Sequence, residues 1–88
     1  MYSITLLREA TRELSRLDKP IANRIVRKLQ WLAQNFESVN PESLRGELAG
    51  LYKLREGDYR IAYQVLKSEN TIVVHLIGHR REVYKPKG

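Results

Sequence analysis

Cysteine is absent from the 88 residues, and methionine, tryptophan and phenylalanine occur once each. Without thiols there is no disulfide framework, no thiolate metal ligation and no cysteine nucleophile, a composition compatible with a reducing cytoplasm. Long apolar runs are also missing: none approaches the ~18 residues that a membrane span needs. The opening stretch Met1–Arg8 lacks the basic and long apolar regions of a signal peptide. Repeats, low-complexity tracts and linkers are not visible, so the expectation is one small soluble intracellular domain over residues 1–88. Glu56, Asp58, Glu69 and Glu82 show no paired-carboxylate spacing for Mg²⁺, and His75 with His79 alone does not make a zinc site. There is no nucleophile-elbow motif. The sequence therefore calls for no cofactor.

Positive charge is what the chain has in excess: sixteen Lys and Arg against ten Asp and Glu, a net of +6. The second half is the more basic, with eight cations and four carboxylates over residues 51–88. Such a surface suits nucleic acid or an acidic protein partner, and equally a plain solvated exterior.

Periodicity divides the chain. Tyr2, Ile4 and Leu6 alternate as in a short strand. Leu7, Ala10, Leu14 and Leu17 then recur at helical spacing, with Arg8, Glu9, Arg12, Glu13 and Arg16 on the other face. Asp18 reads as an N-cap with Pro20 in the first turn of a second helix, Lys19 to Phe36. Its apolar ladder is Ile21, Ile25, Leu29, Leu32 and Phe36, widened by Val26 and Trp31. Glu42 to Gly50 reads as a connector. Leu51–Glu56 and Tyr59–Leu66 flank Gly57-Asp58, a pair suited to a two-residue hairpin turn. Thr71–Ile77 is a third strand, and residues 80–88 form a short tail or helix limited by Pro86. The order β-α-α-β-β-β predicts an α+β domain, a helical hairpin on one face of a small, mainly antiparallel sheet.

Register follows from the hairpin. A two-residue turn pairs Glu56 with Tyr59, Arg55 with Arg60 and Lys53 with Ala62, placing Lys53, Arg55 and Arg60 on one face. A three-residue loop would drive Arg60 toward the core, where an unpaired guanidinium is prohibitively costly. The expected result is one basic sheet face and one apolar face, the latter holding Tyr52, Leu54, Tyr59, Ile61, Tyr63 and Val65 under the helices. His79, after Gly78, is expected at the strand's end, folding with Arg80, Arg81 and Tyr84 over the rim of the basic face.

The element order, the run Tyr52-Lys53-Leu54-Arg55-x-x-x-Tyr59-Arg60-Ile61-x-Tyr63 and the block Gly78-His79-Arg80-Arg81-Glu82-Val83-Tyr84 together resemble the RelE/ParE superfamily of toxins from toxin–antitoxin pairs. The resemblance spans almost the whole chain. It implies a single RelE-like toxin domain, neutralised by a cognate and acidic antitoxin. In the RelE branch such toxins are ribosome-dependent endoribonucleases that cleave messenger RNA in the decoding site; in the ParE branch they poison DNA gyrase. The antitoxin complex is expected to be higher-order and to bind operator DNA through the antitoxin.

Residue by residue, the resemblance matches Lys53, Arg60, Arg80 and Tyr84 to catalytic positions, with His79 as a substitute proton carrier. A shorter final block leaves Arg80 and Arg81 as alternatives for one position, and Leu51 stands where some members have a second lysine. Arg55, Arg81, Lys85 and Arg45 are further candidates for holding phosphate. RNA cleavage of this kind needs a base for the 2′-OH, cations for the phosphorane and an acid for the leaving 5′-oxygen. Arg offers phosphate a planar fork. Lys53 is the candidate base, and His79 or Tyr84 the acid. The plainer readings are a solvated face for Lys53 and Arg55, core and rim for Tyr59 and Tyr63, a packed or hydrogen-bonded His75, and a packing role for Trp31.

Overall fold

The computed structural model describes residues 1–79. The tail predicted for 80–88 lies outside the described residues, and with it Arg80, Arg81, Tyr84 and Lys85. Among the described residues two α-helices and five strands follow one another: β1 (Ser3–Leu6), α1 (Arg8–Arg16), α2 (Lys19–Asn35), β2 (Glu42–Ser43), β3 (Tyr52–Glu56), β4 (Tyr59–Leu66) and β5 (Thr71–His79). They build a five-stranded sheet in the order β1-β5-β4-β3-β2. β1 runs parallel to β5, and the other neighbours are antiparallel.

Asp18 stands at the N-cap of α2 with Pro20 in the first turn, as its sequence suggests. Its side chain makes no capping bond; the backbone does the work, Ala22 N–H donating to the Asp18 carbonyl at 2.9 Å. α1 lies over β5, while α2 crosses over β1 and β3. Ala10, Ile25, Leu29, Leu32 and Phe36 from the helices meet Leu54, Ile61, Tyr63, Ile72, Val74 and Ile77 from the sheet in one core.

Two residues of the predicted α2 stripe do not join that core. Val26 and Trp31 are exposed, Trp31 by 44%. At 100° per residue, Trp31 stands about 120° from the axis of the Ile21–Ile25–Leu29–Leu32 stripe, too far round to enter the core. The connector also holds more than expected. Glu42 and Ser43 pair with Lys53 and Tyr52 as a two-residue edge strand, too short to leave a periodic signal. β5 runs on through Gly78 to His79 instead of ending at Ile77. A bulge at Ala62/Tyr63 gives β5 one extra residue, so its core side chains are Ile72, Val74 and then Ile77.

Tyr63 is wholly buried, its ring 5.7 Å from that of Tyr52, and its hydroxyl has no hydrogen-bond partner among the described residues. A buried donor left unsatisfied costs about 1–3 kcal/mol. Burial, and then the neighbouring Tyr52, pushes this hydroxyl's pKa up to about 12. Unfolded tyrosine ionises near ~10. Between these values the unfolded chain gives up a proton that the folded chain keeps, so stability falls as pH rises from about 10 to about 12. Tyr63→Phe is expected to raise stability by about 1 kcal/mol at neutral pH and to flatten this alkaline decline. Chemical denaturation of both proteins across that range checks it. A less stable phenylalanine variant would mean that the hydroxyl is satisfied.

Candidate nucleic-acid interface

The tight turn at Gly57-Asp58 positions the cations. Gly57 takes φ +59°, a left-handed geometry that costs glycine nothing, and its two-residue loop fixes the register on either side. Arg55 pairs with Arg60, Lys53 with Ala62 and Glu56 with Tyr59, the register expected from the cost of burying Arg60. Directly opposed side chains share a face, so Arg55 and Arg60 stand side by side with about 5 Å between their Cα atoms. Lys53, two residues along from Arg55, shares that face. It is the face turned away from the helical core.

Each cation is held differently. Arg55 is exposed, its Nε donating to the Gly57 carbonyl at 3.3 Å. Arg60 is half-buried on β4 and lies opposite Gly78 of β5. Lys53 is ion-paired: its Nζ lies 3.1 Å from Glu42 Oε2 across the β2–β3 edge. Its side chain is 32% exposed and that of Glu42 is 71% exposed. Glu42 is thus a member of this face that sequence spacing could not find, because only the short β2 pairing brings it beside Lys53.

The face is less uniform than the alternation implied. Ala62, Val73 and Gly78 at its centre are buried, and the cations line one end of it. Toward the other end His75 Nε2 and Gln64 Oε1 lie 3.1 Å apart, a half-buried pair beside the bulge. His75 is therefore hydrogen-bonded within the sheet.

His79 does not join the cations. It pairs with Tyr59, with the two rings edge-on at 5.7 Å, while Arg60 pairs with Gly78. Alternation puts Tyr59 and His79 on the helix side and Arg60 on the other, so the expected position over the basic rim is corrected. The reason is that the strand continues through Gly78. Arg45 sits exposed on the connector beyond β2, outside the row formed by Lys53, Arg55 and Arg60. Among the described residues no three His, Cys, Asp or Glu side chains are grouped to hold a metal ion.

Residues 4–84 match the family described as ParE toxin of type II toxin–antitoxin system, parDE. Toxin RelE of Mycobacterium tuberculosis is 29% identical over 84 residues, 96% of this chain and 87% of its own. Toxin RelG of the same organism is 38% identical over 42 residues, a match that covers about half of each protein (48%). Among solved structures, the toxin–antitoxin complex RelBE2 from M. tuberculosis contains a chain that superposes with a TM-score of 0.78 at 30% identity, covering 90% of this chain and 98% of that one.

Proposed function

Because this chain belongs to the ParE toxin family of type II toxin–antitoxin systems, within the RelE/ParE superfamily, we propose that it acts as the RelE branch does and cuts messenger RNA in the ribosomal decoding site. The observation that carries this reading is the register of the β3–β4 hairpin, which sets Arg55 against Arg60 with Lys53 on the same face. Three cations on one end of a sheet face form a grip for a phosphodiester in the act of gaining charge.

In the proposed reaction the 2′-oxygen of a nucleotide gives its proton to the Lys53 amine and attacks the adjacent phosphorus. The phosphorus–5′-oxygen bond breaks, and the leaving oxygen takes up a proton. The products are a 2′,3′-cyclic phosphate, or the 3′-phosphate after hydrolysis, and a 5′-hydroxyl end. Arg60 stabilises the charged phosphorane, and Arg55 holds a neighbouring phosphate oxygen. Lys53 serves as that base only after it is released from its ion pair with Glu42. Arg80 or Arg81 and Tyr84 supply the remaining charge and the acid, with Lys85 and Arg45 as further phosphate contacts. His79, facing Tyr59, is given no proton in this scheme. The partner is a cognate antitoxin, by analogy with the solved toxin–antitoxin complex that this chain resembles, and an acidic antitoxin would complement the cationic face.

The matching family is described as ParE, and the resemblance to the ParE branch implies a second reading, inhibition of DNA gyrase. One assay divides the two. Purified protein added to ribosomes programmed with a defined message is expected to cut that message in the decoding site, leaving a 5′-hydroxyl and a cyclic or 3′-phosphate. Intact message, together with loss of gyrase supercoiling, would overturn the nuclease reading.

A further inference from the structure

α2 carries Lys19, Arg24, Arg27 and Lys28 in seventeen residues and no carboxylate at all. Arg24 stands three and four residues from Arg27 and Lys28, the spacings at which like charges destabilise a helix by a few tenths of a kcal/mol each. Arg24 and Arg27 are exposed and take part in no ion pair among the described residues. Trp31, the protein's only tryptophan, lies among these cations, with the Lys28 ammonium 4.5 Å from its ring centre. Together with Glu56 from the end of β3 they line a shallow groove of about 320 Å³. Glu56 shares its strand face with the buried Leu54, so the groove belongs to the helix side of the sheet. The Lys53–Arg55–Arg60 row is on the other side.

We infer that this groove is a second anion-binding surface, separate from the sheet cations, and that it docks the phosphate backbone of folded RNA. Charge complementarity sets the class of ligand: three cations against one carboxylate call for a polyanion. The composition then favours RNA over an acidic helix. A docked helix wants a row of apolar anchors, and the other exposed apolar side chain of α2, Val26, stands about 140° around the helix from Trp31. What the groove offers instead is two guanidinium forks for phosphate oxygens and an aromatic face for an unstacked base. The inference deepens the ribosome-directed reading and rests on it for its biological context. A protein with cations on both faces can hold structured RNA on one side while the message lies on the other.

Trp31 makes the test site-specific. The intact protein, with tryptophan excited selectively, is titrated with an RNA hairpin and in parallel with an acidic polyglutamate peptide. RNA is expected to quench Trp31. Three phosphate contacts would weaken that binding about 40-fold between about 50 and 200 mM salt. The double change Arg24→Glu with Arg27→Glu, both exposed, is expected to abolish the quenching at unchanged circular dichroism. On programmed ribosomes the same variant should raise the ribosome concentration needed for half-maximal cleavage at least 10-fold. Quenching by the peptide and not by RNA would overturn the inference in favour of an acidic protein partner. Lack of response to either would overturn it outright. So would an unchanged ribosome requirement in the variant beside an active wild type, and that outcome would leave the nuclease reading intact. Because the titration needs no cleavage, a wild type that cuts nothing would sink the nuclease reading without deciding this one.

Discussion

Arg60→Ala is expected to lower the single-turnover rate of message cleavage on ribosomes by about 10²–10³-fold, the usual effect of removing one donor that stabilises transition-state charge. The size follows from where the side chain sits. β4 is a central strand, half-burial on the sheet restrains the guanidinium, and the residue facing it on β5 is Gly78. Arg55→Ala should cost less, since Arg55 is exposed and already spends its Nε on the Gly57 carbonyl. Arg60→Lys should recover only part of the loss, because an ammonium lacks the planar fork. Ribosome binding is expected to change little, which separates this variant from those on α2. Cleavage that survives Arg60→Ala at near-normal rate would remove the cation row from the chemistry. Growth arrest that survives it, with gyrase inhibited, would favour the second reading.

Leu32→Ala is expected to destabilise the fold by about 2–5 kcal/mol. Leu32 is fully buried in α2, inside the single core where the helices meet the sheet. A domain of this size has a total stability of only about 4–13 kcal/mol, so the loss is a large fraction of it. Each kcal/mol should lower the melting temperature by roughly 4–8 °C. The denaturation midpoint should fall at unchanged slope, since the surface exposed on unfolding is much the same. A loss below about 1 kcal/mol would mean that α2 is not anchored through this stripe. The substitution also sets a benchmark: a surface change such as Arg24→Glu that matched its cost would be acting on folding and not on a ligand.

The cation row was legible because two constraints agree. Gly57-Asp58 allows a two-residue turn, and the alternative loop length would bury Arg60; the observed pairing of Arg55 with Arg60 satisfies both. The core was legible for a similar reason, since the α2 ladder and the strand alternation each leave one apolar face. The departures have local causes. An aromatic ring near the stripe suggests a core place for Trp31, but its helical angle carries it to the outside. Gly78 suggests a strand end that would leave His79 at the rim, whereas the ladder to β4 runs through it. Glu42 gave no signal, because a two-residue strand has no period.

By itself the sequence determined the order of the six longer elements, the hairpin register and the separation of cations from the apolar face. All three are short-range: they depend on turn geometry and on side-chain periods of 2 and 3.6 residues, which neighbouring residues fix. Only the tertiary structure decided that Glu42 neutralises Lys53, that the bulge in β5 sets His75 against Gln64, and that His79 turns to the helix side. These depend on which strands become neighbours and how far each pairing runs, and that is settled by burying the whole core at once.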